Sequence, residues 1–195
     1  MTRRRFLALA AGLPVVGGSL AAWGVEYHTR NFHAVERGVL YRSGQQTPTG
    51  LRLSLRAYQI KTVVTLRTVR DPDRPYPDEW EAELCAAHSV RHIRIVPQPW
   101  SLDERGELPA ERVVRAFLDI VCDPANHPVL VHCFAGIHRT GAMCALFRME
   151  CQRWSAERAI AEMQDHGFEP GQSRDGIEQY LRDYRAQTPH SAPSS

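Results

Sequence analysis

The order of patterns along this chain predicts an α/β fold: a central, mostly parallel sheet of four to five strands flanked by helices. Two observations lead there. Short β-rich runs occur at residues 39–41, 62–66, 91–96 and 128–132, and helical patterns lie between several of them. Strands that alternate with helices in this way pair in parallel and are covered on both faces.

The helices follow in order. Thr49 is placed to cap a helix over 49–59. PDEWEAELCAAH, from Pro77, has proline early and acids in its first turn. PAERVVRAFLDIVC, from Pro109, repeats that design and sets Val113, Val114, Phe117, Leu118 and Val121 on one face. Three more helices are expected over 140–153, 155–166 and 174–185. The tail QTPHSAPSS, residues 187–195, is small and polar and is expected to be disordered.

A length of 195 residues suits one domain, here 26–186, able to bury a core without disulfide or metal staples. Arg3, Arg4 and Arg5 precede twenty uncharged residues, Phe6 to Val25, so 1–25 reads as a signal or membrane anchor. The arginine run resembles a twin-arginine export signal. Cleavage and retention as an anchor both remain open, and Ser19-Leu20-Ala21 is a weak cleavage site. Either way the positive-inside rule places the domain on the extracytoplasmic side, with the membrane as a partner.

With 24 basic and 22 acidic side chains, no overall field favours nucleic acid. Five scattered cysteines without a C-x-x-C pair exclude a disulfide framework and a zinc site of known spacing. A metal held by His132, Cys133 and His138 has no supporting spacing either.

The informative stretch is LVHCFAGIHRTG, residues 130–141. An apolar strand ends at His132, Cys133 follows, and a seven-residue turn with Gly136 leads to Arg139 and a helix. Ligands bind beyond the carboxyl ends of such strands. The amides of Phe134, Ala135, Gly136, Ile137, His138 and Arg139 can point inward as a phosphate cradle at the helix N-terminus. The same positive environment favours the thiolate, which is the nucleophile. Arg139 supplies a fork for two phosphate oxygens, Thr140 a hydroxyl to the sulfur, and His132 support from behind. Arg67, after the strand TVVTL, lies on the same edge. It and Arg70 either draw in an anionic substrate or pair with Asp71, Asp73, Asp78 or Glu79. Trp80, Trp100 and Tyr76 line a cleft or pack. Cys144 and Cys151 share a helix face and are expected to pack as small apolar groups.

His132 to Gly141 resembles the H-C-x-x-G-x-x-R-[ST]-G signature loop of cysteine-dependent protein tyrosine and dual-specificity phosphatases. NFHAVERGVLYRSGQQ, KTVVTLR and DPANHPVLVHCFAGIHRTG together look like the atypical dual-specificity phosphatases of plants and fungi and their bacterial relatives, over residues 31–168. The resemblance implies a protein tyrosine phosphatase-like fold, a phosphocysteine intermediate, and no cofactor or metal. It implies a general acid about thirty residues before the cysteine. Asp103, in PQPWSLDERGELP, stands there, with Glu104 and Glu107 in the same loop. It also implies that Arg42, in YRSG, belongs to an early motif.

Among substrate classes in that family, phosphotyrosine proteins lead. Loops directed to inositol phosphates often hold lysines where this one holds Phe134, Ala135 and Ile137. The alternatives are an inositol phosphate or phosphoinositide phosphatase, and a module that binds phosphorylated partners without turnover. A sulfurtransferase or arsenate reductase would also use a cysteine in an anion-binding loop.

Overall fold

A computed structural model describes residues 28–68, 76, 78–171 and 176–186. The amino-terminal segment 1–25, Arg70, Asp71, Asp73, the start of the helix expected from 174, and the tail 187–195 lie outside the described residues. Among the described residues, no helix is long and apolar enough to cross a membrane.

The strands β1 (His33–Glu36), β2 (Leu40–Ser43), β3 (Thr62–Thr65), β4 (Arg91–Arg94) and β5 (Val129–His132) form one sheet in the order β1-β2-β5-β3-β4. β5 runs parallel to both β2 and β3, and β3 is parallel to β4. Only β1 is antiparallel, paired with β2 through a tight connection in which Val39 N donates to Glu36 O. This edge strand was not expected from the sequence, because HAVE is short and half exposed and carries no alternation signal.

The helices are α1 (Pro48–Ala57), α2 (Glu79–Ala87), α3 (Ala110–Val121), α4 (His138–Gln152), α5 (Ala156–Asp165) and α6 (Ile177–Asp183). One cap is corrected. Thr47, not Thr49, begins α1: its hydroxyl accepts from Gly50 N at 3.1 Å and Pro48 takes the first helical position. α4 starts two residues earlier than expected, because the loop before it is already wound tightly at His138.

Strand parity divides the core. Leu40, Val64, Val129 and Val131 face one side, where Phe117 of α3, Leu146 of α4 and Leu181 of α6 pack. Tyr41, Val63 and Leu130 face the other, against Leu51 and Leu55 of α1 and Cys85 of α2. The predicted α3 face is the buried one: Val113, Val114, Phe117 and Val121 are core and Leu118 packs against it. α4 is buried from Thr140 through Phe147, so the helix after the cysteine loop is the central pillar of its layer.

Candidate active site

The loop between β5 and α4 sits at the carboxyl edge of the parallel strands. Register aligns Ser43, His132 and Thr65 across the sheet, so Cys133 is the first residue beyond the ladder. Parity then sends neighbouring side chains to opposite faces. Cys133 belongs to the α3–α4 side and His132 turns toward α2.

The loop is wound around the sulfur. Cys133 is 5 % exposed, and Gly136 N donates to its Sγ at 3.3 Å. Burial opposes ionisation, and is the largest single influence. The Thr140 hydroxyl, the amides of Thr140 and Gly136, and the His132 charge outweigh it, so the thiol titrates below its ordinary value. Thr140 Oγ1 is buried without a fully formed hydrogen bond. Its effect on the sulfur is therefore that of a nearby dipole, and the firmer donors are the amides. The other buried thiols behave in the opposite way: burial pushes Cys85 up to about 12 and Cys144 up to about 11. Only the loop cysteine is prepared as a nucleophile among these three.

β2 supplies the scaffold. The Arg42 guanidinium, 1 % exposed, donates from Nη2 to Gly136 O at 2.7 Å, and Gln45 N donates to Phe134 O at 3.0 Å. Gly44 and Gly136 are both required here. A Cβ on Gly136 (φ +79°) would meet Gly44 N at 2.5 Å, and one on Gly44 would meet Ala135 O at 2.9 Å. The early YRSG motif thus holds the loop from behind; Arg42 does more than tie down the amino-terminal region.

Beneath the loop lies a buried ion pair that the sequence reading missed. His132 Nε2 lies 2.8 Å from Glu81 Oε1, and His92 Nε2 lies 2.9 Å from the same oxygen. Burial raises the Glu81 pKa, but His132 and His92 outweigh it and hold the carboxyl at about 2. Burial likewise disfavours charge on His132, yet Glu81 raises its pKa overall, so an imidazolium is favoured next to the sulfur. Glu81 is legible in retrospect, since it precedes Cys85 by one helical turn on the buried face of α2.

Cations gather at the mouth. Arg139 Nη1 donates to Leu66 O at 3.2 Å, placing its guanidinium at the end of β3. Arg67 is lowered chiefly by burial and further by Arg139 and Arg30, against opposing pulls from Asp78 and Cys133. Those couplings put Arg67, Arg139 and Arg30 in one field with the sulfur. The guanidinium carbons of Arg30 and Arg67 lie 4.0 and 4.9 Å from the centroid of the exposed Phe134 ring. Arg67 makes no ion pair among the described residues, and Asp78 pairs instead with Arg94 at 2.9 Å. Arg30 had no sequence signal.

Asp103 is exposed and its Oδ1 accepts from the amides of Arg105 and Glu107, both at 2.9 Å, closing its own turn. Glu104 and Glu107 are exposed in the same loop. The Asp103 carboxylate is thus engaged within its own loop. Trp100, at the base of that loop, packs edge-on against Tyr180 at 5.1 Å. Trp80 packs on the α1–α2 core, and Tyr76 lies under Arg94. His138 is exposed, edge-on to Phe168 at 5.7 Å, while the half-buried Ile137 packs against the core and Ala135 is half-buried in the loop. Cys151 is exposed beside Cys122, so it does not pack with Cys144 as an apolar group.

An activated cysteine wrapped in amides at a helix N-terminus, with arginines at the mouth of a parallel sheet edge, forms a nucleophilic, anion-binding site. The chain belongs to the DSP-PTPase family. The family model described as "DSP-PTPase phosphatase fused to NAD+ Kinase" matches residues 19–179. Its relatives are the atypical plant and fungal dual-specificity phosphatases and a bacterial one. It is 34 % identical to the inositol diphosphatase DSP1 of Oryza sativa subsp. japonica, over 69 % of this chain and 55 % of that protein. It is 31 % identical to the dual specificity protein phosphatase TpbA of Pseudomonas aeruginosa (strain UCBPP-PA14), over 66 % of this chain and 51 % of that protein. The chain thus spans about half the length of these two relatives. The fold is shared with the core catalytic domain of the S. cerevisiae PP-IP phosphatase SIW14 in complex with citrate: TM-score 0.63, 22 % identity, covering 80 % of this chain and 86 % of that one.

Proposed function

We propose that this protein hydrolyses phosphate esters through a phosphocysteine on Cys133. The observation behind this reading is the opposite titration of three buried thiols: only Cys133 is stabilised as a thiolate, by the loop amides and His132. The sulfur attacks phosphorus while the cradle and Arg139 hold the equatorial oxygens, whose charge grows in the transition state. Asp103 is the candidate acid for the leaving oxygen and then the base for water. Its carboxylate must first leave its own turn, so loop movement precedes chemistry in this reading.

For the substrate we favour a small, multiply phosphorylated ester, of the kind implied by the inositol diphosphatase relatives. The loop lacks lysines, but Arg30 and Arg67 bring positive charge to the mouth from distant positions. The exposed Phe134 supports the second reading, a phosphotyrosine protein, because it puts an aromatic ring, held by Arg30 and Arg67, at the entrance. We further propose that residues 1–25 direct the domain to, or through, a membrane. This proposal rests on the arginine run and twenty uncharged residues.

Hydrolysis of para-nitrophenyl phosphate tests the chemistry. Turnover unaffected by chelator and abolished in Cys133→Ser is expected; phosphopeptide binding without turnover would show a binding module instead. Thiol-dependent arsenate reduction in place of ester hydrolysis would indicate the reductase. Side-by-side turnover of an inositol diphosphate and a phosphotyrosyl peptide separates the substrate readings. Arg30→Ala should weaken the first more than the second.

A further inference from the structure

The ends of α3 and α4 bring two thiols together away from the catalytic loop. Cys122 caps α3, its amide donating to Leu118 O at 2.9 Å, and Cys151 lies in the last turn of α4. Their sulfurs are 2.7 Å apart and both residues are exposed. That separation is too close for sulfurs that merely pack, and it exceeds the ~2.05 Å of a covalent S–S bond. We propose that Cys122 and Cys151 form a reversible disulfide that ties the carboxyl ends of α3 and α4 together, separately from Cys133.

The two thiols are in direct contact, and either can donate its hydrogen to the other. The hydrogen bond from Cys151 is the largest influence on Cys122 and lowers its pKa, while Cys151 is pushed far up by the same contact. Burial, Glu150 and Asp119 oppose ionisation of Cys122, and Arg153 opposes the rise at Cys151. Either sulfur can begin the exchange, and the steps are the same with the two roles reversed. The Cys122 sulfur, as thiolate, attacks an external low-molecular-weight disulfide, forming a mixed disulfide and expelling one thiolate, which takes up a proton. Cys151 then loses its proton, attacks the Cys122 sulfur and expels the second thiol. Two protein thiols are oxidised and one external disulfide is reduced to two thiols.

The bond encloses the segment from Cys122 to Cys151, which contains β5, the catalytic loop and all but the last residue of α4. Cross-linking a loop of this size lowers the entropy of the unfolded chain and should raise Tm by about 5–10 °C. The loop around Cys133 lies at the opposite end of α4, so activity should survive the bond.

The full-length protein, reduced and then equilibrated with oxidised glutathione, is alkylated, digested and mapped by mass spectrometry. A linked Cys122–Cys151 peptide, lighter by two hydrogens, is expected, with Cys133 recovered alkylated. The Tm gain should reverse with dithiothreitol and be absent in Cys151→Ser and Cys122→Ser. Recovery of both cysteines as separately alkylated or glutathionylated peptides would overturn the proposal, as would a bond that includes Cys133. The wild-type map decides the matter even where a serine variant folds poorly.

Discussion

Replacing Glu81 by glutamine isolates the charge beneath the catalytic loop while preserving shape and one acceptor oxygen. Glu81 is 1 % exposed and its carboxyl is held at about 2 against an ordinary 4.5. At 1.36 kcal/mol per pH unit, that difference corresponds to about 3 kcal/mol of folding stability. Because the folded value is depressed, this stability is present above pH 4.5 and lost as pH falls toward 2. His132 is raised, so its share is present below its ordinary 6.5 and lost as pH climbs through the folded value. The window between 4.5 and 6.5 contains both. Urea unfolding there should show Glu81→Gln less stable by about 3 kcal/mol, with Tm lower by about 6–12 °C. The gap should shrink as pH falls toward 2. The same change removes the imidazolium that helps ionise Cys133, so iodoacetamide should label the variant's loop thiol more slowly at pH 6–7. A stability gap that does not vary with pH, together with an unchanged labelling profile, would refute the idea that Glu81 acts through His132 on the sulfur.

Three further outcomes are expected. Gly136→Ala places a Cβ 2.5 Å from Gly44 N at φ +79° and should cost about 100-fold in kcat/KM, measured on para-nitrophenyl phosphate, because the cradle shifts. Arg42→Met removes the donor to Gly136 O from a fully buried position and should lower stability by about 1–3 kcal/mol in denaturant titration, with kcat falling more than KM rises. Asp103→Asn should lower kcat by about 10²–10⁴-fold and flatten the alkaline limb of the pH–rate profile; an unchanged profile would move the acid role to Glu104 or Glu107.

The candidate nucleophile was legible because its signals are local. A strand, a cysteine, a glycine with left-handed backbone and an arginine at the start of a helix lie within eleven residues, and their offsets alone set a cradle of amides. The parallel sheet followed from alternating patterns, and the α3 face from its apolar spacing. The edge strand β1 was not legible, since its place depends on pairing with β2 rather than on its own pattern.

Everything supporting the loop arrives from far away in the chain. Arg42 lies 94 positions from the carbonyl it holds, and Glu81 lies 51 positions from the imidazole it charges. Arg30 reaches Phe134 because the chain at His28 and Arg30 is hydrogen-bonded to Thr47 and Gly44, just after β2. No local rule links such pairs. The sequence by itself determined which sulfur is prepared for chemistry and on which edge it sits, since strand and helix periodicities are short-range. The tertiary structure decided how that sulfur is charged and gripped, because buried ion pairs and converging guanidiniums exist only after distant segments pack against one sheet.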